Sequence, residues 1–331
     1  MAEAETGAMV DWLALDAETA VGEIVARLRD IVHGELRKRG AVVGLSGGID
    51  SSVSAALCAE AFGRDRVVGL LMPETDSAPE TLELSRGVAD SLGIEAILED
   101  ITPILEAAGC YRRRDEAIRS VVPDYAPGWK AKIVLPGLDH GDRLSVFTVV
   151  TESPDGRRGE TRLTASAYRG VVAATNFKQR TRKMLEYYHA DRLDYAVAGT
   201  PNRLEYDQGF FVKLGDGAAD VKPIAHLYKT QVYQLAAYLG LPGEIRTRPP
   251  TTDTYSLPQG QDEFYFLLPY DKMDLCLYGW NHQIPAGAVA EATGLQEDVV
   301  ERVFRDIERK RAATRYLHLP PLLVVDPLTA H

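Results

Sequence analysis

The chain has 331 residues, 45% of them hydrophobic and 26% charged, which suits a globular α/β protein with a buried core and excludes a disordered or fibrous polypeptide. Its net charge of −11 argues against nucleic acid as the main partner, though not against a small anion held by local donors. Three cysteines (Cys58, Cys110, Cys276) with no Cys-x-x-Cys pair, an acidic Met1–Asp11 without signal-peptide blocks and no apolar run of about 20 residues point to a cytoplasmic protein that does not span a membrane.

Taken in chain order, Val21, Ile24, Val25, Leu28, Ile31, Val32 and Leu36 fall at helical spacing, with Gly40 as a stop. Ala41-Val42-Val43-Gly44-Leu45 is short and uniformly apolar, as expected of a buried strand in a parallel sheet. A helix follows from about Ser51 to Phe62, then a strand over Val67–Met72. Ser77 with Glu80 three residues on predicts a capping box for a helix reaching about Leu92. Ile94–Leu98 is the next strand candidate. Strands alternating with amphipathic helices predict a doubly wound parallel sheet, whose ligands bind beyond the carboxyl ends of the strands.

The rhythm breaks between Pro123 and Tyr168. Extended stretches at Lys132–Leu135, Leu144–Val150 and Glu160–Thr164, with a Pro154-Asp155-Gly156 turn, predict a β-hairpin insertion. Helical character returns from about Gly170 to Tyr188, a short strand at Tyr195–Ala198, a Gly/Asp-rich loop over Gly209–Pro223 and a helix at Lys229–Leu239. Arg248–Gln261, dense in Pro and Thr, is expected to be a surface loop, and Ala288–Arg311 a helix. The expectation is one domain over residues 1–331, with an N-terminal helical segment (1–40), the insertion (123–168) and a helical C-terminal tail (288–331).

The run Ser46-Gly47-Gly48-Ile49-Asp50-Ser51-Ser52 sits between a strand and a helix. Gly47 and Gly48 let backbone N–H groups converge on an anion, and the helix adds the positive end of its dipole. The three serines can donate to phosphate oxygens. Asp50 would repel a phosphate directly, so its natural role is to hold Mg²⁺. A plain Gly-Gly turn with an Asp/Ser helix cap is the structural alternative. The seven-residue run in strand–loop–helix context favours a pyrophosphate loop, and the Gly-x-x-x-x-Gly-Lys-Ser/Thr pattern of Walker enzymes is absent from it.

Four further blocks follow the loop: Asn176-Phe177-Lys178-Gln179-Arg180; Gly199-Thr200-Pro201-Asn202-Arg203-Leu204-Glu205; Gly209–Gly217 continuing through Asp220, Pro223, Leu227, Lys229 and Thr230; and Pro249-Pro250-Thr251-Thr252-Asp253 with Gln259 and Asp262-Glu263. In this order they resemble the NAD synthase family of N-type ATP pyrophosphatases. The resemblance implies an adenine nucleotide alpha hydrolase-like α/β fold and a two-step amidation. A carboxylate of deamido-NAD attacks the α-phosphate of ATP, and ammonia then displaces AMP from the acyl-adenylate. It also implies that Gly44, Leu45, Ser46, Gly47, Gly48, Ile49, Asp50, Ser51, Ser52, Thr200, Lys229 and Thr251 hold ATP. By the same resemblance, Asp50 and Glu205 bind Mg²⁺, Arg180, Lys213 and Asp220 contact deamido-NAD, and the protein is a homodimer.

Three features depart from the family pattern. Val212 and Leu214 replace the Thr and Tyr usual around the fourth-block lysine. Arg315-Tyr316 stands where a His-Lys pair is expected, and is assigned to the substrate on that match. The 123–168 segment is longer than its usual counterpart. These changes leave open amidation of a different carboxylate. No segment before Ala41 is long enough for a glutaminase, so ammonia is expected to arrive free or from a separate glutaminase partner. A tRNA-modifying enzyme of the same superfamily would be expected to carry a basic face, and a non-catalytic nucleotide-binding module has no need of Glu205, Lys229 and Thr251. Ordinary roles for these residues, a surface glutamate or a solvated lysine, would be preferred without the ordered blocks.

Overall fold

The computed structural model describes residues 12–134, 147–249, 255–260, 265–266 and 268–325. Four parallel strands form its central sheet in the order β3-β2-β1-β7, with β1 Ala41–Leu45, β2 Val67–Leu71, β3 Glu95–Leu98 and β7 Ala196–Ala198. Both faces of β1 are covered. Ala41, Val43 and Leu45 pack with helices α1 (Ala17–Arg29), α2 (Ile49–Phe62) and, further along the chain, α8 (Lys229–Tyr238), whereas Val42 joins the opposite core with Val68, Leu70 and Val197. Two-sided burial explains why β1 reads as an unbroken apolar run. Chain order reverses between β1 and β7, so the loops after these strands flank the crevice where open α/β sheets bind ligands.

Between β2 and β7 the chain forms α3 (Pro79–Leu92), α4 (Thr102–Ala107), α5 (Cys110–Arg119) and the 29-residue α6 (Ala165–Leu193). The insertion is a three-stranded antiparallel sheet in the order β4-β5-β6: Lys130–Val134, Thr148–Glu152 and Arg158–Arg162. Its Ala131, Ile133 and Val149 bury against Ile118 of α5 and Ala167 and Val171 of α6. After β7 come α7 (Arg203–Gln208), α8 and α9 (Gly243–Thr247), and then α10 (Tyr270–Asn281), α11 (Ala286–Thr293) and α12 (Glu297–His318), which share a separate core around Met273, Leu277, Val300 and Ile307.

Several expectations are corrected. The Ser77–Glu80 capping box does not form. Pro79 occupies the first turn of α3, its predecessor Ala78 is extended as residues before proline prefer, and Ser77 Oγ instead accepts the Glu74 N–H at 3.1 Å. α6 begins earlier than Gly170, because Thr164 caps it by accepting the Ala167 N–H. The C-terminal helix is two helices, divided at Gly294 in the left-handed conformation. Residues 255–260 of the Pro/Thr-rich loop are not a surface loop. Tyr255, Leu257 and Gln259 are buried, and Ser256 Oγ accepts the Ala131 N–H at 2.9 Å, laying the segment along the free edge of β4.

Candidate active site

One cavity of about 790 Å³ opens at the carboxyl ends of the strands. Among the described residues, seven basic and five acidic side chains line it, so a chain of net charge −11 turns a cationic excess toward whatever it binds. The pyrophosphate-type loop forms its floor. Gly47 has φ +68°, and a Cβ there would lie 2.9 Å from Leu84 Cβ, so only glycine lets α3 approach the loop. Ser51 Oγ donates to Gly48 O at 3.0 Å and also lies 3.1 Å from Ser46 Oγ. These hydroxyls bond within the loop and can rotate toward an incoming anion. Ser46, Gly48, Ile49, Asp50 and Ser51 line the cavity, as do Gly44, Leu45 and Thr200.

Gly47 and Ser52 do not. Ser52 is fully buried and its hydroxyl donates to Gly48 O at 2.8 Å, bracing the turn from behind rather than facing a ligand. Thr251 lies outside the described residues.

The charged centre is assembled from three elements. Asp50 in the first turn of α2 forms an ion pair through Oδ2 with Lys229 Nζ at the start of α8, where Lys229 is 1% exposed. Asn202, the N-cap of α7, donates from Nδ2 to Asp50 Oδ1 at 3.2 Å, while its own backbone N–H reaches Glu205 Oε2 at 3.2 Å in a capping box. Asn202 thus holds both carboxylates. Burial, and after it the Asp50 charge, push Glu205 up to about 8 against the pull of Lys229. Burial alone would lower the Lys229 amine, but the Asp50 and Glu205 charges more than offset it and leave it raised. Two carboxylates with one lysine therefore lack a positive charge. A hard divalent cation sharing the carboxylates with nucleotide phosphates would supply it, so the donor set fits Mg²⁺. Among the described residues no group of three or more His, Cys, Asp or Glu forms a site of its own, so such an ion would depend on substrate oxygens.

Of the residues expected to contact the acceptor, Arg180, Lys213 and Tyr316 line the cavity. Lys213 Nζ donates to the carbonyls of Tyr316 at 2.8 Å and Leu319 at 3.3 Å, tying the end of α12 to the Gly209–Gly217 loop. Two expected contacts are not brought there. Asp220 accepts the Val197 N–H at 2.8 Å and the Tyr187 hydroxyl at 3.3 Å, so it fastens the outer strand of the sheet. Arg315 is exposed and is not part of the cavity wall.

Other lining residues were not anticipated. Lys183 and Glu186, buried and paired at 2.5 Å on α6, stand beside the end of β1. Asp216 is raised by burial and accepts the Val212 N–H at 2.8 Å. Lys310, lowered by burial, is held by Asp306 at 2.7 Å. Asn202 did carry a readable signal, since Asn-x-x-Glu ahead of a helix is a capping-box pattern. Lys183 and Glu186 carried none that separates them from an i,i+3 pair on a solvent face.

The fold and site define an α/β nucleotide-binding protein with an anion loop at its switch point and paired carboxylates opposite a buried lysine. The sequence profile of the NAD synthase family matches residues 20–121 and 159–315, and the chain belongs to that family. It is 62% identical to the NH₃-dependent NAD⁺ synthetase of Mesorhizobium japonicum over 314 residues, covering 95% of this chain and 98% of that protein. The NH₃-dependent NAD⁺ synthetase of Methanocaldococcus jannaschii is 33% identical over 305 residues, 92% of this chain and 96% of that one. Among solved structures, NH₃-dependent NAD synthetase from Campylobacter jejuni superposes with a TM-score of 0.61 at 21% identity, covering 94% of this chain and 100% of that one. NMN synthetase from Francisella tularensis also gives 0.61, at 22% identity over 94% and 99%. These two likenesses establish the shared fold. Among the described residues no helix is long and apolar enough to cross a membrane.

Proposed function

We propose that this protein catalyses the ATP-dependent amidation of deamido-NAD by ammonia, giving NAD, AMP and pyrophosphate. The observation that carries this reading is the Asp50–Asn202–Glu205–Lys229 centre above the Ser46–Ser52 loop, in a chain 62% identical to an NH₃-dependent NAD⁺ synthetase across 98% of that protein. Loop N–H groups, the α2 N-terminus and the hydroxyls of Ser46 and Ser51 would bind the departing pyrophosphate, with Gly44, Leu45 and Thr200 alongside. Lys229 would stabilise charge that builds on the phosphates, and its burial strengthens that interaction. Asp50 and Glu205 would hold Mg²⁺, which when bound supplies Lewis-acid polarisation of phosphate oxygens. Arg180 and Lys213 would orient the acceptor, with Tyr316 beside them. Once the carboxylate carries AMP as a leaving group, free ammonia is nucleophilic enough to displace it without a strong protein base.

A protein of this kind needs no membrane and works where ATP and ammonia are available, in the cytoplasm. The reading extends to a homodimer and to a separate glutaminase as one source of ammonia. Incubating the pure protein with ATP, Mg²⁺, ammonium and deamido-NAD, and following NAD and pyrophosphate by mass, tests it. Stoichiometric NAD and pyrophosphate are expected. Pyrophosphate release with another carboxylate and not with deamido-NAD would overturn the acceptor and keep the amide ligase.

A further inference from the structure

The family profile skips residues 122–158, yet this segment contributes to the cavity. Phe147, immediately before β5, stacks on Tyr168 of α6 with ring centroids 4.0 Å apart and planes 18° from parallel, and both rings line the cavity. Phe147 is anchored from its carbonyl onward. Its carbonyl accepts the Leu163 N–H at 2.9 Å, and β5 behind it pairs with β4 and β6.

Where this stack lies along the cavity follows from α6. A single face of that helix lines the cavity from Tyr168 through Val172, Gln179 and Lys183 to Glu186, at spacings of three, four and seven residues. At a rise of about 1.5 Å per residue, these positions span about 27 Å. The nucleotide loops gather at the Glu186 end. A Cβ on Gly44 would touch Glu186 Oε1, and Arg182 Nε donates to Met72 O at 3.4 Å. Tyr168 is fourteen residues from Arg182, about 21 Å further along the helix axis. An acceptor whose carboxylate must meet the α-phosphate keeps its pyridine ring near the nucleotide end. The part of it that reaches the aromatic stack is its opposite end.

We infer that Phe147 and Tyr168 form a stacking subsite for the remote base of a dinucleotide acceptor, in which Phe147 comes from the stretch the family profile skips and Tyr168 from the matched helix α6, and that it sets the preference for a dinucleotide over a mononucleotide. The inference rests on the acceptor reading given above. Base–aromatic stacking contributes about 1–3 kcal/mol per base, which corresponds to about 5- to 150-fold in affinity. The stack touches neither the anion loop nor the carboxylate centre, so it acts on acceptor binding and not on the chemistry.

The test is Phe147→Leu, which keeps apolar volume and removes the ring, with Phe147→Trp as the aromatic replacement and thermal melting as the control for folding. Wild-type turnover of deamido-NAD is measured first; its absence overturns the acceptor reading and this subsite together. With an active wild type, Phe147→Leu is expected to raise KM for deamido-NAD about tenfold or more, with kcat and KM for ATP unchanged and Phe147→Trp close to wild type. The preference for deamido-NAD over nicotinate mononucleotide, as a ratio of kcat/KM, should narrow by the same factor. An unchanged KM for deamido-NAD overturns the subsite alone. An equal loss on the mononucleotide overturns the remote-base assignment, because the ring stacked would then be the pyridine.

Discussion

Asp50 meets Lys229 through one oxygen and the Asn202 amide through the other, and among the described residues Glu205 forms no ion pair beyond the field of the same lysine. The centre is therefore sensitive to the loss of a single charge. Asp50→Asn keeps the shape and the amide contact but removes the charge that Lys229 pairs with and that a bound metal would share. Pyrophosphate release is expected to fall about 10²–10³-fold, the range seen when one transition-state contact is lost. Full activity in a stopped assay would show that Asp50 holds no metal.

A second residue supports the same lysine from behind. Asp274 is fully buried, and accepts the backbone N–H groups of Lys229 at 3.2 Å and Thr230 at 2.7 Å, which fixes the start of α8. Burial outweighs these bonds and pushes its carboxyl from 3.8 up to about 6. The folded protein then binds the extra proton between those values. Its contribution to stability is full below about 3.8 and is lost as pH rises through about 6. Asp274→Asn, which cannot ionise, should remove that part of the slope. Denaturant midpoints of both proteins across pH 4 to 7 check this, and parallel curves would refute it. The sequence displayed Asp50, Glu205 and Lys229 through their ordered blocks. Asp274 was not legible, because nothing local to Tyr270–Asn281 says that a carboxylate there caps a helix 45 residues upstream.

At the level of elements, the α/β core was readable because a strand buried on both sides must be short and apolar. β1 and β2 were located to within a residue of their ends. The short helices α4 and α5 were not read from the sequence, and neither was the segment that covers β4. Residues 255–260 cover a sheet edge more than a hundred residues away, a pairing that depends on the insertion having folded. α7 and α12 meet at another non-local contact. Gly209 has φ +74°, and a Cβ there would come within 2.2 Å of Thr314 Cβ. Gly209→Ala combines a disfavoured backbone with that clash, and is expected to destabilise by about 2 kcal/mol or more. A melting temperature equal to wild type would mean that α12 can move aside freely.

For the whole molecule, two carboxylates sharing one lysine and a cationic cavity wall suit the binding of a nucleotide together with a divalent cation. Binding of MgATP to the folded chain alone contributes about 2.7 kcal/mol at a hundred times Kd. With an unfolding entropy of about 2.1 cal/mol/K per residue, that corresponds to a rise of about 4 °C in the melting temperature of a 331-residue chain. Chelation of the metal should reverse most of it; a melting curve indifferent to both would argue against a site made from Asp50 and Glu205.

α6 fixes distances as well as contacts. Because one rigid helix carries wall positions from Tyr168 to Glu186, one residue added between them would turn everything upstream by about 100° and shift it by about 1.5 Å. Tyr168 would leave the cavity although no contact of its own had changed. Length changes in this helix are therefore closed to gradual adjustment, whereas the segment in front of it can lengthen freely. The 37-residue interruption in the family match, residues 122–158, falls in that tolerant stretch.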